Sequence, residues 1–258
     1  MAVPGILGAY YLDLNSGSAV GVRDRERFPA ASVVKVPILL EVLRQAGEGL
    51  LSLRERFALA SEHRVGGAGV LLELEEGTSL TLLELARLMT VVSDNVASNA
   101  LLDRVGMEPV NRLMAALGMQ DSHLGRRFME VPEGERDNWT TARDIALCMA
   151  SIWRGEVAGS REALEILRRQ QYREKIPCML PGELGVANKT GELDGVRHDA
   201  AIVEHPRYPY VLTLLTRDGG AAWEVDRALA HLSRAVYDLV DAAGPPGRCE
   251  EHPAPWRS

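Results

Sequence analysis

The spacing of apolar and polar positions changes twice along the chain. Residues 7–13 are apolar and tyrosine-bearing, Asn15, Ser16 and Gly17 supply turn chemistry, and residues 19–23 form a second short run, so a β-hairpin is predicted near the N-terminus. From Ser32 the period lengthens: Val33, Val36, Leu40 and Leu43 fall on one helical face until Gly47 and Gly49 end it. Pro37 interrupts that helix near its start, where a lost backbone donor and a crowded preceding carbonyl predict a local bend. Thr81 and Glu84 form a capping-box signature ahead of Leu85, Leu88, Met89 and Val92. Further helices are predicted over residues 95–105 and 109–117, stopped by Gly106 and Gly118, and over residues 141–153, opened by Thr141 and Asp144.

After Gly182 the period shortens again. Residues 184–189, 200–204 and 210–216 read as strands, and Val225, Leu229, Leu232, Val236 and Leu239 then form one apolar helical stripe suited to lying across a sheet. The tail, residues 244–258, carries Pro245, Pro246, Pro253 and Pro255 and is expected to be disordered. Strands at both ends and helices between predict a mixed α/β (α+β) fold in which the termini share one sheet. The expected division is a sheet-containing lobe of residues 1–31 and 180–243 and a mainly helical lobe of residues 32–179, with a cleft at their junction.

Composition narrows the function classes. With 258 residues, 46% of them hydrophobic, the chain can bury a substantial core. The net charge of -7 is spread along the sequence with no basic face, so no nucleic-acid partner is expected. Cys148, Cys178 and Cys249 are odd in number and widely spaced, so neither a disulfide framework nor a metal site is expected. No run approaches the ~20 apolar residues of a membrane span, and the first residues lack the pattern of an export signal.

Three short motifs carry candidate chemistry. Ser32 and Lys35 are three residues apart at a helix start, which puts a hydroxyl and an amine on one face. A serine is a poor nucleophile unless a neighbour takes its proton, and a lysine does so when burial lowers its pKa. The spacing alone also fits an N-cap serine and a surface lysine, but the flanking Val33, Val34, Val36, Ile38 and Leu39 place this lysine in apolar surroundings. Ser93, Asp94 and Asn95 lie between two predicted helices, where the same residue types also serve as caps. Lys189, Thr190 and Gly191 end a predicted strand, where a glycine lets a substrate backbone approach an edge.

Taken together and in this order, these motifs resemble the class A beta-lactamases, for which Ser-Xaa-Xaa-Lys, Ser-Asp-Asn and Lys-Thr-Gly are the signature. The resemblance runs from about Gly8 to about Leu239 and includes Leu12 to Gly17, Glu26 to Pro29, Glu135 to Asp137, and Thr140 with Thr141. It implies a five-stranded antiparallel sheet flanked by helices, a monomer, no cofactor or metal, and a small β-lactam or acyl-D-Ala-like substrate. By that resemblance Ser32 is acylated, Lys35 accepts its proton, Ser93 relays a proton to the leaving nitrogen and Asn95 holds the geometry. Lys189 and Thr190 would bind the substrate carboxylate, beside Gly191; the amides of Ser32 and Glu192 would form the oxyanion hole, and Arg197 stands where some members carry a carboxylate-binding arginine.

One loop departs from the pattern. Family members carry there a glutamate that positions the deacylating water, whereas alignment on Arg126 or Arg127 puts Phe128 or Met129 at that position, and the segment to Asn138 is about three residues short. Glu130 is the nearest carboxylate and the candidate base, with Glu133 and Glu135 further along. The chain also begins at the first strand, without the N-terminal helix usual in the family. Three activities follow as alternatives: a β-lactam hydrolase with slow deacylation, a D,D-peptidase or esterase using the same serine, and a penicillin-acylated sensor-like domain without turnover.

Overall fold

The computed structural model describes residues 3–132 and 136–243. Cys249, Glu133, Glu135 and the tail expected to be disordered lie outside the described residues. In chain order the elements are β1 (Ile6–Asp13), β2 (Ala19–Val22), β3 (Phe28–Pro29), a 3-10 turn (Ala31–Val34) running into α1 (Lys35–Gly47), β4 (Arg56–Ala58), β5 (Ser79–Thr81), α2 (Leu82–Val91), α3 (Asn95–Val105) and α4 (Met107–Ala116). They continue with β6 (Trp139–Thr140), α5 (Ala142–Arg154), α6 (Ser160–Leu167), β7 (Val186–Leu193), β8 (Val196–Val203), β9 (Tyr210–Arg217) and α7 (Ala222–Ala243).

The five-stranded sheet has the order β2-β1-β9-β8-β7, antiparallel throughout. The first strand pairs with the last along its whole length, from Ile6 opposite Arg217 to Asp13 opposite Tyr210, so the two ends of the chain share the sheet as the sequence predicts. Both faces are covered. Val211 and Leu215 of β9 belong to the core shared with the helices α1, α2, α3, α5 and α6, α5 lying directly against the strand, while Tyr210, Leu212 and Leu214 cluster with Val225, Leu229 and Val240 of α7. Each of those buried aliphatic side chains is worth ~1.5–3 kcal/mol of transfer free energy. α1 is buried over most of its length, so even Glu41 is inside, paired with Arg44 and accepting from Gln45 Nε2 at 2.7 Å.

Several boundaries differ from the periodicity reading. The bend expected at Pro37 does not break α1. Pro37 is the third residue of the helix, where its amide would have no intrahelical partner, and the adjustment falls before it as the change from 3-10 to α geometry at Lys35. For the same reason α4 starts at Met107, two residues ahead of Pro109. β7 does not stop at Lys189 but continues to Leu193, and Asp194 with Gly195 (φ 67°) turns it directly into β8. The Lys189 motif therefore lies within an edge strand.

Candidate active site

Ser32 sits in the 3-10 turn that delivers the chain into α1, one residue after Ala31, whose φ of 45° is in the left-handed region. The approach is braced on both sides. Ala30 N donates to Asn138 O at 2.7 Å, Pro29 pairs with Trp139, and the His198 ring lies 2.8 Å from Pro29 O through Nε2. Because His198 Nδ1 accepts from Thr216 N at 3.0 Å, Nε2 carries the proton and donates to that carbonyl. Burial lowers the His198 pKa to about 4. On the open side runs β7: a Cβ added to Gly191 would lie 3.1 Å from Ser32 N and 3.2 Å from Val33 N, so only a glycine leaves those amides clear.

Lys35, the first residue of α1, has no exposed surface. Its Nζ donates to Ser93 O at 2.6 Å, Ser93 Oγ at 3.2 Å and Asn95 Oδ1 at 2.8 Å. Burial, reinforced by the charge of Lys189, holds its pKa well below the ordinary lysine value, with Asp94 opposing. Lys189 Nζ reaches the same Ser93 Oγ at 3.0 Å and Thr190 O at 2.7 Å, and burial lowers its pKa to about 7.

The turn between α2 and α3 divides its three polar residues between two tasks. Asp94 is a structural cap: it accepts from Ala97 N at 2.9 Å, and from Val70 N at 2.6 Å and Leu71 N at 2.8 Å, anchoring the loop before α2. Ser93 adopts a left-handed φ of 56°, which projects its hydroxyl between the two lysines. Asn95 bridges Lys35 to the same anchored loop by donating to Gly66 O at 2.9 Å.

The loop between α4 and β6 is closed by Arg126 and Asp137, 2.7 Å apart, and by Asn138 Oδ1, which accepts from Gly125 N at 2.9 Å and Arg126 N at 3.1 Å. Asn99 of α3 clamps its middle, accepting from Phe128 N at 2.9 Å and donating to Phe128 O at 3.2 Å. The clamp sets the Phe128 ring centroid 4.6 Å from Lys35 Nζ. Among the described residues of this loop, an aromatic ring is what faces Lys35. Glu130 is exposed, with Oε2 accepting from Arg127 N at 3.1 Å, although it lines the same cavity of about 430 Å³ as Ser32, Asn95 and Phe128.

A smaller cavity of about 180 Å³ opens on the other side of Ser32, between Ser93, Tyr172, Thr190, Gly191 and Glu192. Behind its Glu192 wall lies a charged cluster. Lys175, fully buried, places Nζ 2.7 Å from Glu192 Oε1 and 3.7 Å from Asp226 Oδ1. Arg197 contacts Glu192 Oε2 at 2.9 Å through Nη1 and Asp226 Oδ1 at 2.8 Å through Nε. Burial raises the Glu192 pKa, but Lys175 and Arg197 outweigh it and hold the carboxyl below its ordinary value. Asp199, accepting from Ile176 N at 2.9 Å and Asn188 Nδ2 at 3.0 Å, is pushed up to about 6 by burial.

Sequence reasoning thus named Ser32, Lys35, Ser93, Asn95, Glu130, Lys189, Thr190, Gly191, Glu192 and Arg197, all of which border these two cavities or bond to a residue that does, Arg197 only through Glu192. It did not find Asn99, Lys175 or Asp226, because none belongs to a motif. Among the described residues no group of three or more His, Cys, Asp or Glu is placed to hold a metal ion, and no helix is long and apolar enough to cross a membrane. Cys148 is buried and Cys178 exposed, both free.

A serine at a helix start, a buried lysine one turn on, and a second lysine on the adjoining sheet edge are the parts of an acyl-transferring serine hydrolase. The chain belongs to the beta-lactamase enzyme family, whose model matches residues 1–240. It is 29% identical over 247 residues to beta-lactamase FAR-1 of Nocardia farcinica (91% of this chain, 78% of that one) and 30% identical over 249 residues to beta-lactamase AST-1 of Nocardia asteroides (92% and 79%). Among solved structures, a beta-lactamase from Sphaerobacter thermophilus superposes with a TM-score of 0.86 at 33% identity, covering 95% of this chain and 94% of that one. PBP-A superposes with a TM-score of 0.85 at 28% identity (93% and 91%), and a mutant of it is known as an acyl-enzyme with penicillin G.

Proposed function

We propose that the protein opens β-lactam rings through an acyl-enzyme on Ser32 and releases the acyl group slowly. The observation that carries this is the environment of Lys35: a fully buried amine within 3.2 Å of Ser93 Oγ, its pKa held low, one helical turn from Ser32. Ser32 Oγ attacks the lactam carbonyl and its proton passes to Lys35. The amides of Ser32 and Glu192 receive the developing oxyanion. As the ring C–N bond breaks, Ser93 gives its proton to the nitrogen and is reprotonated from Lys35. Asn95 keeps Lys35 in place, and Lys189 with Thr190 faces the anionic side of the substrate. The two lobes, residues 1–31 with 180–243 and residues 32–179, meet at this cleft.

Release of the acyl group needs an activated water. Phe128 fills the space beside Lys35 with a ring, and Glu130 would have to leave the Arg127 amide to act as base. A second reading follows from the same ring: a penicillin-binding domain acylated once and persistently. Intact-mass spectrometry after penicillin addition tests both. A Ser32 adduct that forms and decays over minutes to hours supports slow hydrolysis; one that never decays supports the second reading. No adduct, and no nitrocefin turnover, overturns both, with Ser32→Ala as the blank.

A further inference from the structure

Glu192 stands out on β7, because a carboxylate on the wall of the Ser32 cavity is an odd neighbour for a site meant to receive an anion. It is 44% exposed and lines both cavities at Ser32, whereas Lys175 and Arg197 line neither. Its two oxygens take up those two cations, Oε1 with Lys175 at 2.7 Å and Oε2 with Arg197 at 2.9 Å. The guanidinium has no fork left over, since Nε and Nη2 are held by Asp226. Lys175, Arg197, Glu192 and Asp226 sum to zero charge, and Glu192 also acts electrostatically on Lys189. The chain's own carboxylate therefore lies where these cations would otherwise meet a substrate's.

We propose that Glu192 is a specificity residue that occupies the anion position of the Ser32 site, so that acyl donors uncharged at that position are accepted in preference to those carrying a carboxylate there. This rests on Ser32 being the acylated residue. An anionic donor has Lys189 as its remaining cation and must either approach a like charge or displace Glu192 from Lys175 and Arg197. A neutral ester at the same place meets neither obstacle. The substrate class that fits is a lactam or acyl ester whose leaving side lacks a free carboxylate.

Penicillin G and its methyl ester form a matched pair, identical in acyl group and ring and different only in that charge. In either case the Ser32 Oγ–C bond forms, the ring C–N bond breaks, the serine proton ends on the nitrogen, and the adduct gains the whole mass of the compound. The rate of adduct formation is measured by intact mass for the wild type, for the isosteric Glu192→Gln, and for Glu192→Ser as a second variant. The expected result is an ester-to-acid rate ratio that falls about tenfold or more on going from wild type to either variant. A ratio that stays within about twofold across all three overturns the inference while leaving the Ser32 reading intact. Absence of any adduct from both compounds overturns the Ser32 reading and this inference with it.

Discussion

Lys35 and Lys189 donate to one hydroxyl: their Nζ atoms lie 3.2 Å and 3.0 Å from Ser93 Oγ. Burial depresses both pKa values, and a second cation deepens each shift, Lys189 acting on Lys35 and Lys175 acting on Lys189. Both amines therefore give up their protons more readily than an exposed lysine does.

These depressed values give a pH profile. In the proposed mechanism Lys35 works uncharged and Lys189 charged, so the rate of adduct formation should rise as Lys35 loses its proton, at a pH below the ordinary lysine range, and fall as Lys189 passes its value of about 7. Lys189→Arg, always charged, should abolish the falling limb up to about pH 9. Adduct formation measured against pH for both proteins checks this, and an unchanged falling limb in the variant would assign it to another group.

Stability should follow the same groups. The folded pKa of Lys189, about 7, lies below its ordinary 10.5, so between these values the unfolded chain binds more protons and stability rises with pH. Below that window the penalty of burying the charge is felt in full. Lys189→Met should therefore be more stable than wild type at neutral pH and show a smaller rise toward alkaline pH. Urea denaturation at two pH values reads both effects.

Placing a carboxylate where Phe128 stands should restore release. Asn99 holds the Phe128 backbone through its amide and carbonyl, so a new side chain inherits the direction of the ring toward Lys35. Phe128→Glu should shorten the lifetime of the penicillin adduct by about tenfold or more, while Phe128→Leu should leave it unchanged. The acid added beside Lys35 also favours its ammonium, so acylation by Phe128→Glu should need a higher pH. An adduct equally long-lived in Phe128→Glu would place the block elsewhere.

Gly191 controls access to the Ser32 amide. With 3.1 Å from a new Cβ to Ser32 N, Gly191→Ala should slow acylation by about tenfold, and Gly191→Val by ~10²–10³, the loss expected when an oxyanion donor is blocked. Thermal melting should change far less than rate in the alanine variant.

Asp94 should behave differently from its neighbours. Three backbone amides end on its carboxylate, so Asp94→Ala leaves buried donors unpaired and should cost ~2–4 kcal/mol of stability. Chemical denaturation measures this; a variant as stable as wild type would mean that water replaces all three contacts.

The long, strongly periodic elements were legible in the sequence, as were the motifs that line the cleft. β1 with β9, α2 with its Thr81 cap and α5 with its Thr141 cap appear where apolar spacing and cap chemistry put them. α6 escaped notice because its start is Gly159 at φ 85°, with no side-chain cap to mark it, and the pairings β3 with β6 and β4 with β5 are too short to show a period. The β7–β8 turn has its sequence signal in Asp194 and Gly195. Lys175 and Asp226 were beyond sequence reasoning: an isolated charge reveals itself as buried only when distant strands and helices close over it.

The bracing of Pro29 has a thermal consequence. His198 from the sheet interior and Trp139 from β6 hold the strand that leads to Ser32, and the Phe28 ring packs edge-on at 6.3 Å from His198. The serine proposed to be acylated thus follows a segment fastened to the central sheet. Heating should leave acylation competence intact until the whole molecule melts, with the loss of activity and the loss of fold tracing one curve.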